Sequence, residues 1–346
     1  MFVGRALFTA AGAERRTHDA WPSWPGRRAL LAAAMALPTA RPRAQERFPT
    51  RPLRIVIPFA SGGSTDILAR LSAQWLTERL GQGVVAENIT GAGGTIGAQR
   101  VLEAAADGHT LLAGTPGPIA INPHLLPRIA YQPLRDFEPV AFVGDSPAVA
   151  VVPRGSPFRT LRELVERARA APATLTFASA GIGSFAHLSG ELFKWRAGVE
   201  MTHVPYRGTA PAATDMIAGR VDAMFENFPS VQSYLASGDL RPLAIGAARR
   251  SALLPGVPTA IEEGVGAYES SSWFGLFMRA GAPPPAIAAV NAAINAGLRD
   301  PAAAERLATL GVEPVGGTPA EFRAYVEGRV REAGELIRAA NIRVEQ

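Results

Sequence analysis

Two segments of the chain share a layout able to grip an anion. The first reads Ile57-Pro58-Phe59-Ala60-Ser61-Gly62-Gly63-Ser64-Thr65-Asp66. The second reads Phe177-Ala178-Ser179-Ala180-Gly181-Ile182-Gly183-Ser184-Phe185-Ala186-His187. Each leaves an apolar strand pattern, passes through glycines and opens a helical pattern with a serine. Glycine lets the backbone turn with its N–H groups uncovered. A serine at a helix start caps it, so Ser64 and Ser184 are the expected N-caps. The first-turn N–H groups and the positive helix end then favour an anion in front of them. A proline at Ser184 is accordingly expected to remove a donor that faces the ligand. Two such loops across one cleft suit a small molecule with a carboxylate at each end. In open α/β sheets that cleft lies outside the carboxyl ends of the strands. Capping and tight turning account for either loop alone; the repetition is what points to binding.

Other chemistries find less support. Gly181-Ile182-Gly183-Ser184-Phe185-Ala186 also fits the dinucleotide fingerprint G-x-G-x-x-A, but the acid expected after the next strand is missing. That strand runs into Pro205-Tyr206-Arg207-Gly208, where Arg207 would suit a 2′-phosphate. An exported NADP-dependent oxidoreductase therefore stands as the alternative. In Gly91-Ala92-Gly93-Gly94-Thr95-Ile96-Gly97, Ile96 occupies the third glycine position, so the segment reads as a turn before a helix. There is no G-x-S-x-G, and Lys194 is the sole lysine and lies outside any phosphate loop. The histidines, His18, His109, His124, His187 and His203, include no pair at metal-ligand helical spacing. His187 shares the first turn of a helix with Ser184, where capping and packing explain both better than a catalytic dyad does. With Cys 0, thiol nucleophiles, disulfides, Fe–S clusters and Cys-based zinc sites are excluded. A binding protein without enzyme activity, cofactor or metal is the expectation.

The chain of 346 residues carries a net charge of +5. Arg5, Arg15, Arg16, Arg27, Arg28, Arg41 and Arg43, against Glu14 and Asp19, account for all of it, so residues 45–346 are balanced. A nucleic-acid partner would want a basic stripe on the folded part, and the balance disfavours one. Arg27-Arg28, the apolar run 29–37, and the small residues Ala40 and Ala44 have the layout of a signal peptide over 1–44. Export by the Sec route or by a twin-arginine route both fit this layout. The long stretch before Arg27 fits a start codon placed too far upstream. No run approaches the roughly 18 apolar residues of a membrane span.

The elements that must position the two loops follow from periodicity. Strands are predicted at 54–57, 84–86 and 110–113, with helices from 67 to Gly81 and over 96–105. This βαβαβ pattern implies a mostly parallel sheet with helices on its faces. The apolar stretch 139–153 carries the chain out of a first lobe. The pattern restarts with helices at 160–170, 184–196 and 209–218, and strands at 175–178, 203–205, 222–225 and 243–245. A second crossing strand is expected at 272–277, followed by helices at 287–298, 301–310 and 319–340. The fold class is therefore α/β, with two mixed-sheet lobes joined by two crossing strands. The lobes are 48–148 plus 270–346, and 149–269. Around the cleft, Phe59, Tyr206, Phe228, Trp273 and Phe274 are available to close over a ligand or to pack the core. Asn227, just past a strand, is a polar contact or a turn former.

Several motifs together resemble a known family. They are Phe48-Pro49-Thr50-Arg51-Pro52-Leu53-Arg54-Ile55-Val56-Ile57-Pro58-Phe59 with Gly62 to Asp66, then Gly91 to Gly94 and Ala120-Ile121-Asn122-Pro123. They continue through Ser179 to Glu191, Val204 to Gly208, Leu254 to Thr259, Ser272-Trp273-Phe274-Gly275 and Gly316-Gly317-Thr318-Pro319. In this order they resemble the Bug-type extracytoplasmic solute receptors of tripartite tricarboxylate transporters. The resemblance implies a type II-like periplasmic-binding-protein fold that closes like a flytrap. It also implies a periplasmic monomer holding a small carboxylate (an organic acid or an amino acid) largely by backbone amides and ordered water, and delivering it to membrane permease subunits. Carried over residue by residue, the contacts it implies are Ser61, Gly62, Gly63, Ser64, Thr65 and Asp66; Thr115, Gly117 and Ile119; Ser179, Gly181, Gly183 and Ser184; and Tyr206, Arg207 and Gly208. The residues themselves add Phe59, His187 and Asn227. Departures from the family pattern are Ala60-Ser61, where Pro-Pro or Ala-Pro is usual, and Glu226, where Asp is usual. Pro116 and Pro118 each remove a donor from their loop. A receptor turned sensor for a membrane kinase would have the same fold.

Overall fold

β1 (Leu53–Ile57) is apolar at four of its five positions, as a strand covered on both faces must be. The computed structural model describes residues 48–344, so the predicted signal peptide lies outside the described residues. After β1 the chain enters α1 (Ser64–Leu80), which Gly81 ends in the left-handed conformation, its N–H donating to Thr77 O (3.1 Å). β2 (Val84–Asn88), a glycine-rich 3₁₀ turn at Ala92–Gly94, α2 (Thr95–Leu102) and β3 (Thr110–Gly114) complete the first βαβαβ unit. A five-residue π turn at Gly117–Ile121 leads through the short helices α3 (Asn122–Leu125) and α4 (Pro133–Asp136) into β4.

β4 (Phe137–Pro153) is a single strand of 17 residues. Beyond it the alternation resumes with α5 (Leu161–Ala170), which opens on a Thr160/Glu163 capping box. Then come β5 (Thr176–Ser179), α6 (Phe185–Ala197), β6 (Thr202–Pro205), α7 (Thr209–Ile217), β7 (Ala223–Asn227), α8 (Phe228–Ala236) and β8 (Leu240–Gly246). β9 (Ser271–Arg279) returns beside β4, followed by α9 (Pro284–Leu298), α10 (Pro301–Thr309), β10 (Glu313–Pro314) and α11 (Pro319–Ala339).

The strands lie in the order β2-β1-β3-β9-β4-β7-β5-β6, with β8 and β10 also pairing with β4. β1, β2 and β3 are parallel, as are β5, β6 and β7, whereas β9 is antiparallel to both β3 and β4. β4 pairs with β9 over Phe137–Pro147 and with β7 and β8 from Ala148 onward. The chain just before β9 runs alongside, Ala148 N–H donating to Ser270 O (2.8 Å) and Ser270 N–H to Gly246 O (2.9 Å). The fold is thus α/β, with two mixed-sheet halves and two strand crossings between them.

Alternation of side chains divides the core into four clusters. In the first half Ile55 joins Leu76, Val140 and Ile294 on one face, and its neighbour Val56 joins Leu112, Phe142 and Trp273 on the other. In the second half Val152, Phe177 and Phe225 pack on one face, and Val151, Ala178 and Met224 on the other. Helix α8 is absent from the periodicity reading. Pro229 discourages a helix there on composition, yet it sits in the first turn, where a missing N–H costs nothing. No described helix is long and apolar enough to cross a membrane.

Candidate anion-binding site

Helices α1, α6, α7 and α8 start at the carboxyl ends of β1, β5, β6 and β7, and all four present their first turns to one cavity. Gly63, Ser64 and Thr65 line it from α1, and Ser184, Phe185 and Ala186 from α6. Thr209 contributes from α7, and Asn227 and Ser230 from α8. The first N–H groups of a helix have no intrahelical acceptor. On α1, Ile67 N–H bonds Gly63 O (3.1 Å) and Ser64 N–H bonds Ser230 Oγ (2.9 Å), while no side chain caps the helix. That leaves the Thr65 and Asp66 N–H groups as orphan donors. On α6, Ser184 Oγ accepts from His187 N–H (3.3 Å), which leaves those of Phe185 and Ala186.

Two expectations are corrected by this geometry. Ser64 is not the N-cap: Gly63, extended at φ −83 and ψ 169, takes that place, and Ser64 is the first helical residue. Its N–H finds an acceptor in Ser230 instead. Ser184 does cap α6, but its own N–H donates to Gly181 O (3.0 Å). It therefore braces the loop, and the donors lie one and two residues further on.

Two buried polar groups complete the wall. Thr115, past β3, is 3% exposed, and its Oγ1 has no hydrogen-bond partner. Glu226, the penultimate residue of β7, is also 3% exposed. Its Oε1 accepts from Asn227 N–H (2.9 Å) and Nδ2 (2.8 Å), and its Oε2 from Thr209 Oγ1 (2.9 Å). Burial pushes its carboxyl up to about 7, against the pull of those donors. The cavity measures about 30 Å³, on the order of one water's share of the liquid. A larger recess of about 840 Å³ lies between α6, β6 and residues 340–344. Among the described residues, none of the buried unpartnered polar atoms lies on it, and its Lys194 is already paired with Glu191 (2.9 Å). The small cavity is the better-built site.

A protein family described as tripartite tricarboxylate transporter family receptor matches residues 68–342. The chain belongs to this family. An R. palustris protein solved with adipate is 38% identical and superposes with a TM-score of 0.83, over 86% of this chain and 99% of that one. MatC from Rhodopseudomonas palustris, with bound malate, is 34% identical with a TM-score of 0.80, over 84% and 100% of the two chains. The periplasmic binding protein BugD is 34% identical with a TM-score of 0.82, over 86% and 100%. The family is one of solute receptors and not a class of enzymes.

In this receptor the cavity wall collects Phe59, Gly63, Ser64, Thr65, Thr115, Ser184 and Asn227 from the residues singled out by sequence. The others lie off it. Ser61 and Gly62 are exposed, and Gly62 N–H donates to Asp66 Oδ2 (3.1 Å). Burial raises the Asp66 carboxyl, but Arg70, Asn88 and that N–H outweigh it and hold it below the usual carboxylate range. Ile119 is core, Arg207 is exposed, and Tyr206 Oη donates to Asp215 (2.8 Å). Of the other aromatics, Phe228, Trp273 and Phe274 are core.

Gly117, Gly181, Gly183 and Gly208 serve close backbone approaches instead. A Cβ on Gly117 would meet Gly183 O at 2.9 Å, one on Gly181 would meet Tyr206 O at 2.9 Å, and one on Gly208 would meet the Ala60 Cβ at 2.7 Å. Ser179 and His187 brace the second loop. Ser179 Oγ lies 2.6 Å from His203 Nε2, His187 Nδ1 accepts from Gly183 N–H (3.2 Å), and the two imidazoles stack at 4.2 Å. Sequence reasoning missed Thr209, Ser230, Ser272, Phe185, Ala186 and the placement of Glu226 on the wall. The rule that ligands lie beyond strand carboxyl ends would have found Thr209 and Ser230; no spacing marks Ser272.

The stacked histidines predict an acid weakness. Burial first, then the charges of His203 and Lys194, push His187 down to about 3; burial, then Lys194, pushes His203 down to about 4. The unfolded chain takes up protons near 6.5 and the folded chain does not, so stability falls as pH drops from 6.5 toward those values. His187→Asn retains an acceptor for Gly183 N–H and does not titrate. We expect it to lose about 2.5 kcal/mol less than the parent between pH 7 and pH 4.5 in urea unfolding. Equal losses in the two proteins would refute the expectation.

Proposed function

We propose that this chain is a periplasmic receptor that captures a small carboxylate between two lobes and hands it to the membrane permease of a tripartite tricarboxylate transporter. The observation that carries the reading is the pairing of orphan first-turn amides from α1 and α6 on one cavity that also holds the buried, unpartnered Thr115 hydroxyl. Amide N–H groups at helix ends bind carboxylates through hydrogen bonds and through the helix dipole. The Thr65, Phe185 and Ala186 N–H groups and Thr115 Oγ1 are the assigned contacts. The adipate and malate held by the two R. palustris relatives support a ligand of the dicarboxylate class.

A cavity of about 30 Å³ admits such a ligand only after its walls part. The lobes that part are 48–148 plus 270–346, and 149–269; the four core clusters, none of which is shared evenly between these segments, support that division. The ligand then draws the open form shut through its greater affinity for the closed one.

A thermal-shift series with four- to six-carbon dicarboxylates tests the reading. A ligand at a hundred times its Kd adds about 2.7 kcal/mol and raises Tm by roughly 5 °C or more. Thr115→Val removes only the unpartnered hydroxyl. It is expected to leave the ligand-free Tm within a degree or two and to weaken binding about tenfold. If no carboxylate shifts the parent, the receptor reading fails; parent-like affinity in the variant removes Thr115 from the site.

A further inference from the structure

We propose that Glu226 couples ligand capture to protons: as a carboxylate enters and the cavity closes, the Glu226 carboxylate takes one proton from solvent and donates it as a hydrogen bond. This rests on the receptor reading above and names the chemistry of that same site. Glu226 stands on the cavity wall, buried, with acceptor bonds at both oxygens. No described basic side chain lies within ion-pair distance of it. The helix ends around it favour negative charge, and without ligand the buried Glu226 carboxyl is the wall group that can carry it. A ligand carboxylate on the Thr65 and Ala186 amides places a second anion in the same small cavity. Two carboxylates in such a site do not both stay ionised, and one is protonated. Glu226 is the better candidate, because burial already brings it near neutrality. Among the described residues its Oε2 has one hydrogen-bond partner, the Thr209 hydroxyl, which accepts a hydrogen bond as readily as it donates one, so that oxygen can carry the proton without losing this bond.

The neighbouring ionisable groups are otherwise engaged. On α1, Asp66 is held by Arg70 (2.9 Å) and Asn88 (3.0 Å). On α6, His187 is kept neutral by burial, Lys194 pairs with Glu191 (2.9 Å), and Arg196 lies over the Trp195 ring. On α7, Asp215 pairs with Arg220 (2.6 Å). On β4, Val149 stands opposite Glu226, Asp145 accepts from Ser271 (3.1 Å) and Tyr325 (3.1 Å), and Glu138 pairs with Arg323 (2.7 Å). On β8, Arg241 donates to the carbonyls of Arg154, Ser156 and Phe158. β5 and α8 carry no charged residue.

The inference also sets the ligand class. A carboxylate without a neighbouring ammonium requires the proton, whereas an amino acid's ammonium would pair with ionised Glu226 and release the requirement. Calorimetric titration with adipate from pH 6 to 9, in phosphate and in Tris, is the test. We expect buffer-dependent heats that report uptake approaching one proton at pH 8 or above. We expect an affinity that is flat below about pH 7 and falls about tenfold per unit above it. Glu226→Gln should bind adipate with no uptake and no pH dependence. The parent's buffer dependence reads the proposal even if that variant misfolds. Adipate binding without uptake or pH dependence would overturn this inference alone. So would preference for aspartate with affinity rising with pH and lost in the variant. Binding of neither adipate nor aspartate at any pH would overturn the receptor reading, and the inference with it.

Discussion

Alanine at Gly183 is expected to abolish ligand capture while leaving the chain folded. Gly183 has φ +75, and a Cβ there would fall well inside contact distance of Asn122 Oδ1. The same contact brings Gly117 against the Gly183 carbonyl, and a Cβ on Gly93 into the Ile182 carbonyl. The loop after β5 therefore meets the turns after β2 and β3 backbone to backbone, beside the anion cavity. If the lobes part as proposed, these clashes exist only in the closed form. The left-handed φ costs an alanine on the order of 1 kcal/mol in both forms, but steric overlap with a buried amide penalises closure alone. Shifting the equilibrium by about 3 kcal/mol lowers apparent affinity more than a hundredfold, with Tm lowered only by the backbone term. Calorimetry and a melting curve on Gly183→Ala check this. Parent-like affinity would show that the approach is not a latch.

The second large effect is expected from Ala186→Pro. Ala186 is the second residue of α6, and its N–H is one of the donors assigned to the ligand. Proline in the first turn removes no intrahelical bond. This chain uses that position elsewhere: α8 begins Phe228-Pro229. The substitution deletes a charge-assisted hydrogen bond and puts ring carbons where the carboxylate would sit. A loss of about a hundredfold in affinity follows from a bond of 1.5–3 kcal/mol. Stability should change by about 1 kcal/mol or less. The contrast is Ser184→Pro, which breaks the Ser184–Gly181 backbone bond (3.0 Å) and so should cost stability as well as binding. If Ala186→Pro bound ligand as tightly as the parent, the amide cradle would be refuted.

Much of this architecture is written locally in the chain. Alternating apolar patterns predict most of the strands and long helices to within a few residues, because each element buries a periodic face. Glycines followed by Ser64 and Ser184 mark both loops that line the cavity, because turning and capping are properties of neighbouring residues. What stayed hidden depends on partners distant in sequence. Ser64 loses its capping role to Gly63 because Ser230, 166 residues away, supplies the acceptor. Glu226 reads as a family departure until the fold walls it in beside Thr209. Gly117 and Gly183 resemble ordinary loop glycines until two backbones are seen to meet. The helix at Phe228–Ala236 was obscured because its proline falls at the one place where a helix tolerates it.

The unbroken 17-residue β4 has a mechanical consequence. A jaw joined by slack tether segments would swing over wide angles, but a continuous ribbon bonded to β9 on one stretch and to β7 and β8 on the next behaves as a leaf spring. It resists sliding and yields to torsion, most readily where its partners change from β9 to β7 and β8 at Pro147–Ala148. If the lobes part as proposed, opening is a small elastic excursion about one stiff axis. A docking partner would read it as a change in the spacing between two fixed faces, with no refolded surface to recognise.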